Sequence, residues 1–106
     1  LRKWSEELGV GWSCRKGLKP ESPNQDSFSI LVVEKDFALY CVYDGHGPLG
    51  HDISDVARES IVSYFLVHPK RDEDPKAALE ECFLKCQKFL ETSKGIDPTM
   101  SGTTCT

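Results

Sequence analysis

The feature that most constrains the fold is an apolar run at residues 37–43 that leads directly into Asp-Gly-His-Gly-Pro-Leu-Gly at residues 44–50. The run, Phe-Ala-Leu-Tyr-Cys-Val-Tyr, has the length and composition of a buried strand, and we expect a central strand here. Three glycines and a proline in the next seven residues predict that neither the strand nor a helix continues through them. Asp44 is therefore expected at the end of a strand, held by the sheet and open to solvent.

A second strand is predicted immediately before the first. Residues 26–34, Asp-Ser-Phe-Ser-Ile-Leu-Val-Val-Glu, are rich in β-branched and aromatic side chains. Lys35 and Asp36 then suit a two-residue turn. Antiparallel pairing about that turn would place Asp26 opposite residue 45, and so beside Asp44. Taken alone, Asn-Gln-Asp at residues 24–26 is more often an Asx-type turn that caps a strand, and the hairpin register is what joins the two acids into one cluster.

The spacing of apolar residues predicts two helices after the glycine-rich segment. The first begins near Asp52 and ends at Pro69, and the second begins at Pro75 behind a cap from Asp74. Residues 101–106 read as the start of a further strand, so the predicted order is strand, strand, helix, helix, strand. The apolar stripes that need covering consist of Ile53, Val56, Ala57, Ile61, Tyr64 and Phe65 in the first helix, and of Leu79, Cys82, Phe83, Cys86 and Leu90 in the second.

Composition narrows the class of protein. The net charge of -4 argues against a nucleic-acid binder, because phosphate backbones select an excess of Lys and Arg. No apolar run approaches the ~20 residues of a membrane-spanning helix. Five scattered cysteines suggest a reducing compartment, cytoplasmic or nuclear. Cys82 and Cys86 could share a metal across one helical turn, but core packing explains them better, since no third ligand is near in sequence. The 106 residues are expected to be one domain or a fragment of one.

The chemistry centres on the residues around Asp44. A rigidly held carboxylate is a good ligand for a hard divalent cation, and Gly45 would let its backbone approach that ion closely. Histidine is a common general acid in enzymes, so His46 could donate a proton to a leaving oxygen. Arg15 and Lys19, on the basic loop before Asp26, could hold a phosphate. The alternatives are a tight Asp-Gly turn that binds nothing and a basic loop that is only solvated.

Three motifs now identify a family resemblance. Pro-Asn-Gln-Asp at residues 23–26, Tyr-Cys-Val-Tyr-Asp-Gly-His-Gly at residues 40–47 and Ser-Gly-Thr-Thr at residues 101–104 together resemble the type 2C metal-dependent protein serine/threonine phosphatases. Their order matches, with two helices between the second and third, and the resemblance extends from about Trp12 to the end. It implies an α+β fold, part of a β-sandwich of mainly antiparallel sheets flanked by helices. Residues 1–106 would be the N-terminal portion of that domain.

The resemblance also implies a function. It is the hydrolysis of phosphoserine or phosphothreonine in proteins by water activated by two Mg²⁺ or Mn²⁺ ions. Asp44 would bridge the ions, the Gly45 carbonyl would ligate one of them, and Asp26 would act in the same cluster, directly or through water. His46 would donate the proton to the leaving oxygen.

Two positions depart from the family pattern. Gln25 stands where many relatives carry Glu, so it would offer a metal a neutral oxygen. Lys19 is the counterpart of a phosphate-binding arginine, and it lacks the bidentate grip of Arg; Arg15 is the second phosphate-binding candidate. Further metal-binding aspartates of the family lie beyond Thr106, so the chain alone is expected to be inactive and to bind cations weakly.

The expected partners are a phosphoprotein substrate and the rest of the same domain, with no nucleic acid and no membrane. One alternative is a non-catalytic pseudophosphatase or regulatory protein-binding module. The other is a nucleotide- or phosphate-binding α/β domain with residues 45–50 as its cradle, although these residues lack both Gly-x-Gly-x-x-Gly and the Lys-Ser/Thr ending of a phosphate loop.

Overall fold

A computed structural model of the protein describes residues 2–106, in which an antiparallel sheet packs against helices. This confirms the predicted α+β class and the predicted order of elements, to which one short N-terminal helix is added. The second sheet of the implied sandwich is not formed within residues 2–106. In chain order the elements are α1 (Arg2–Leu8), β1 (Asp26–Val33), β2 (Phe37–His46), α2 (Gly50–Leu66), α3 (Pro75–Thr92) and β3 (Gly102–Thr103).

The β1–β2 hairpin has a register that differs by one residue from the predicted one. Asp26 was expected opposite residue 45, but it pairs directly with Asp44. Residues that lie directly opposite each other in an antiparallel pair project from the same face of the sheet. The correction therefore brings the two acids closer than the sequence predicted.

The difference in register comes from the turn. The prediction gave it two residues, but Val33 pairs with Phe37, so three residues, 34–36, connect the strands. Lys35 has a φ of 62°, in the left-handed region, and the Asp36 amide donates to the Val33 carbonyl at 3.0 Å. No glycine marks this left-handed position, so the local sequence pattern does not indicate the third turn residue.

Strand β2 continues through the first part of the glycine-rich segment, which corrects the prediction that it stops at Tyr43. Its last two residues have partners on the neighbouring strand, since Gly45 pairs with Thr103 and His46 with Gly102. Gly45 and His46 are strand residues because they pair with β3, while the Gly45 amide bonds to the Gln25 carbonyl on the other side of the strand. Asp44 is consequently held between two neighbouring strands instead of at a free strand end.

The C-terminal segment was predicted as a strand over residues 101–106. The regular strand is shorter, but antiparallel backbone bonds continue along β2 to the last residue. Val42 and Thr106 exchange two such bonds, of 2.8 and 3.0 Å. β2 is thus the central strand of the order β1-β2-β3, as expected.

One face of the sheet is buried against α2. Along β2 buried and exposed residues alternate, so the strand is buried on one face, whereas the sequence predicted burial on both. Helix α2 begins two residues before the expected Asp52, and its predicted apolar stripe faces the core throughout. The residues that form the core are Cys41, Tyr43, Ile53, Ala57, Ile61, Phe65, Ala78, Cys82, Cys86 and Leu90.

Helix α3 packs on α2 and begins as predicted. Pro75 is its first residue, and the Asp74 carboxylate accepts a 3.1 Å hydrogen bond from the Ala77 amide. Cys82 is buried and serves in the core; burial raises the pKa of its thiol. Phe83, predicted to belong to the buried stripe, is 45% exposed. In the described residues no group of three or more His, Cys, Asp or Glu side chains could hold a metal.

The opposite face of the sheet is open. Tyr40 and Val42 are exposed there, and residues 9–15 border a groove of about 1000 Å³ over this face. Within residues 2–106, no helix combines the length and apolar character needed to cross a membrane.

Candidate metal centre

The two acids predicted to act together lie side by side. The Asp44 amide donates to Thr104 Oγ1 and its carbonyl accepts from the Thr104 amide, both at 3.0 Å, so the Asp44 backbone is turned toward the β3 side. Asp26 and Asp44 are therefore a non-hydrogen-bonded pair of the β1–β2 ladder. Such pairs have Cα atoms about 4.5 Å apart, the closer of the two antiparallel spacings.

The electrostatics of this acid pair, Asp26 and Asp44, favour a cation. Both residues are exposed, and within the described part of the chain neither carboxylate receives a hydrogen bond or an ion pair. Like charges directly opposite each other on a sheet are destabilising. Carboxylate oxygens are the ligands that hard divalent cations prefer, so the chemistry of the pair fits Mg²⁺ or Mn²⁺.

The backbone of Gly45, next to the acid pair, is tightly packed against neighbouring backbone. A Cβ at this position would lie less than 3.0 Å from the backbone oxygens of Gly50 and Gln25. The Gly45 amide donates to the Gln25 carbonyl at 3.1 Å, but within the described structure the Gln25 amide does not bond back to the Gly45 carbonyl. That carbonyl therefore retains capacity for a cation, as the resemblance implies.

Gln25 fastens the segment after β2. Its side-chain amide donates to the Gly47 carbonyl at 2.6 Å, a bond that a glutamate could not make. The amide nitrogen is thereby used for structure, and the side-chain oxygen is the atom left for a metal. This explains in physical terms how glutamine suits the position.

A buried hydroxyl connects α2 to this arrangement. Ser54 is fully buried and donates to the Gln25 carbonyl at 2.7 Å. Its oxygen also lies 3.2 Å from Ser27 Oγ, which donates to the Asp55 carboxylate at 3.1 Å. A buried hydroxyl without partners would cost free energy, and here the partners lie on β1 and in the segment before it. Ser54 occupies an ordinary polar position in the helix pattern, so nothing in the sequence pattern signals this role.

The segment before β3 holds the other side of the turn. Gly47 has a φ of +85°, and a Cβ on it would collide with Met100 O and Ser101. The Leu49 amide donates to Ser101 Oγ at 2.8 Å. The third sequence motif is thus in direct contact with the second.

The predicted phosphate-binding residues are divided between two cavities. Lys19 borders an open cleft of about 560 Å³, which is also lined by Gln25, Gly45 and the acid pair. Lys16 borders the same cleft, with its ammonium donating to the Pro20 carbonyl at 3.0 Å. Arg15 instead borders the groove on the open face of the sheet, which the acid pair also reaches.

His46 lies apart from this cleft. Its ring packs over Gly102, where a Cβ would lie 2.9 Å from Nε2. It borders a different cavity, of about 230 Å³, between α2, α3 and β3. The structure therefore gathers the acid pair, Gly45, Gln25 and Lys19 around one cleft, and places His46 and Arg15 outside it.

The amino-acid sequence of the chain is similar to those of known proteins. No family model matches the sequence. The chain is 36% identical over 96 residues to "Probable protein phosphatase 2C 35" of Arabidopsis thaliana, with 85% of this chain and 27% of the relative covered. It is 28% identical over 88 residues to "Probable protein phosphatase 2C 55" of Oryza sativa subsp. japonica, with 81% and 23% covered. This chain is a relative of the type 2C protein phosphatases.

A solved structure agrees with that assignment. The PPM Ser-Thr phosphatase MsPP from Mycobacterium smegmatis, crystallised in complex with cacodylate, superimposes with a TM-score of 0.59 and 29% identity. The match covers 86% of this chain and 34% of MsPP. The chain spans about a quarter of the length of the two curated type 2C relatives.

The packing around Gly45 generates a stability prediction. Gly45→Ala should lower the free energy of unfolding by about 2–3 kcal/mol, because the added methyl overlaps two backbone oxygens that cannot move independently. Gly95→Ala is the matched control, since a Cβ there meets nothing within 4 Å. Urea unfolding followed by circular dichroism measures both. Equal stabilities for the two variants would contradict the packing described for Gly45.

Proposed function

We propose that this chain supplies the first acidic ligands of a two-metal centre that hydrolyses phosphoserine and phosphothreonine in proteins. The observation that supports it most directly is the uncompensated acid pair, Asp26 opposite Asp44, bordering one cleft with the Gly45 backbone. Two like charges on adjacent strands are unfavourable unless a cation neutralises them. The relationship to type 2C phosphatases supplies the reaction class.

The protein groups divide the work of holding the ions. Asp44 would bridge them, Asp26 would act beside it directly or through water, and the Gly45 carbonyl would ligate one ion. Bound divalent ions lower the pKa of a shared water and neutralise charge on the phosphoryl group. The register of the hairpin holds the Asp26 and Asp44 backbones directly opposite each other, from which both carboxylates could reach shared ions.

Gln25 would add a neutral oxygen to this set. Its side-chain nitrogen is bonded to the Gly47 carbonyl, so the oxygen is the available ligand atom. An amide contributes no formal charge, and one ion would therefore bind more weakly than with glutamate.

Two basic side chains and one proton donor around the centre would act on the substrate. Lys19, exposed on the rim of the acidic cleft, would hold the phosphate as a point charge, with Arg15 approaching from the other side of the acid pair. His46 lies over Gly102, outside this cleft, so its ring would have to turn toward the acid pair to protonate the leaving serine or threonine oxygen. The substrate is a phosphoprotein, met in the cytoplasm or nucleus, where five free thiols persist.

The rest of a phosphatase domain would complete the site. Two carboxylates, one carbonyl and the Gln25 oxygen leave most of the coordination positions of two Mg²⁺ ions to water and to ligands from the rest of the domain. We expect residues 1–106 alone to be inactive and to bind cations weakly.

Replacement of one acid tests the proposal. In the longest natural polypeptide that carries this sequence, Asp44→Asn should reduce Mn²⁺-dependent hydrolysis of a phosphothreonine peptide by at least ~100-fold, because even outer-shell changes at metal sites cost 10–100-fold. Asp36→Asn is the matched control, since Asp36 lies in the turn at the opposite end of the same hairpin. An Asp44→Asn variant as active as this control would refute the proposal.

The role of His46 predicts a dependence on the leaving group. His46→Ala should slow hydrolysis of the phosphothreonine peptide about 100-fold, since an alkoxide needs a proton. Hydrolysis of p-nitrophenyl phosphate should change much less, because nitrophenolate leaves without one. Comparing kcat for the two substrates provides the measurement. Equal losses on both would contradict proton donation by His46.

A non-catalytic, partner-binding member of the family is the second candidate. It is favoured by Gln25, whose amide is committed to the Gly47 carbonyl and carries no charge for a metal. Such a protein would hydrolyse neither substrate in saturating Mn²⁺, with or without Asp44→Asn. The same assays therefore separate it from the enzyme.

A further inference from the structure

At one position of the ladder between β2 and the C-terminal segment, a side-chain hydroxyl accepts a hydrogen bond in place of the backbone carbonyl. Where regular pairing would join the Asp44 amide to the Thr104 backbone carbonyl, that amide donates instead to Thr104 Oγ1 at 3.0 Å. The reverse bond, from the Thr104 amide to the Asp44 carbonyl, is regular at 3.0 Å. Asp44 is thus fixed by one side-chain acceptor and one backbone donor of the same residue.

The backbone carbonyl of Thr104 has a different partner. Thr103 Oγ1 donates to it at 2.9 Å. Two residues along the same ladder, Val42 and Thr106 exchange ordinary backbone bonds in both directions. The hydroxyl therefore replaces the backbone carbonyl as acceptor opposite Asp44, and not two residues further along.

A hydroxyl at this place has a consequence for the carboxylate. The hydrogen bond holds the Asp44 backbone, and the backbone sets the direction of the Cα–Cβ bond that carries the carboxylate on the face shared with Asp26. Hydrogen bonds of this kind hold functional side chains in a fixed geometry. Within the described residues no donor bonds to the Asp44 carboxylate itself, so the hydrogen bonds to the Asp44 backbone are the contacts that position it.

We propose that Thr104 is a positioning residue for Asp44, acting through its hydroxyl on the Asp44 amide to set the carboxylate for divalent cation binding. This inference rests on the proposed metal-binding role of the acid pair. It gives the second threonine of the Ser-Gly-Thr-Thr motif a chemical reason: a residue here needs an acceptor on a short side chain. Serine would meet that need, while valine has the shape without the acceptor.

The test uses matched variants of the longest natural polypeptide that carries this sequence. Thr104→Val removes the acceptor, Thr104→Ser retains it, and Thr106→Val makes the same change two residues away in a regular part of the ladder. The first measurement is the hydrogen-exchange rate of the Asp44 amide by NMR in metal-free protein labelled with ¹⁵N-aspartate. The second is the Kd for Mn²⁺, from the electron paramagnetic resonance signal of the free ion.

We expect Thr104→Val to speed exchange of the Asp44 amide and to raise the Kd for Mn²⁺, each roughly three- to tenfold, the range for loss of one hydrogen bond. Thr104→Ser and Thr106→Val should both stay within about twofold of the parent, which is smaller than the effect of one lost bond. A role limited to folding would lower thermal stability without changing the Kd of the folded protein.

Several results would overturn the inference. One is a Thr104→Val variant whose exchange rate and Kd match those of Thr106→Val; another is failure of Thr104→Ser to preserve the Kd. If Thr104→Val does not fold, the exchange rate of the Asp44 amide in the unmutated protein tests the inference. Exchange as fast as that of an unbonded loop amide would contradict the hydrogen bond to Thr104. Asp44→Asn separates the two proposals: unchanged Mn²⁺ binding in that variant refutes the metal role itself, whereas lost binding with no effect of Thr104→Val refutes the positioning role alone.

Discussion

The pairing of β1 with β2 sets Asp26 directly opposite Asp44 on one face of the sheet, and the candidate site depends on this pairing of two acidic residues. The hairpin is stabilised elsewhere by packing of its buried face on α2, so the fold tolerates an unfavourable pair at its exposed end. A divalent cation would convert that repulsion into binding energy. The same register that places two like charges side by side is thus what would let the hairpin bind a cation.

The backbone around the acid pair is held by contacts that leave little freedom. Gly45 is packed between backbone oxygens of Gly50 and Gln25, and the Gln25 carbonyl accepts a bond from the buried Ser54 hydroxyl. On the far side, Thr104 binds both backbone groups of Asp44. The site therefore draws on β1, β2, α2 and the segment around β3. Three motifs far apart in the sequence form one structural unit, which links the fold of the chain to its relationship with type 2C phosphatases.

Much of the fold could be predicted from local patterns. The α2 stripe, the Asp74 cap and the proximity of the two acids follow from side-chain periodicity, capping chemistry and antiparallel pairing. The errors arose where distant residues decide local structure. Lys35 takes a left-handed conformation without a glycine, which moved the register by one residue, and pairing with β3 extends β2 through Gly45. The hydroxyl bonds at the site were invisible for the same reason, since serine and threonine carry no sequence signal of their partners.

The most direct test of the account is the position of a bound metal. Crystals of the longest natural polypeptide carrying this sequence, grown with Mn²⁺, should show an anomalous difference peak within about 2.0–2.6 Å of an Asp44 carboxylate oxygen, on the face shared with Asp26. Asp26 should reach the same ion, directly or across one water. A Mn²⁺ peak elsewhere with none beside Asp44, or carboxylates of Asp26 and Asp44 on opposite faces of the sheet, would contradict the account.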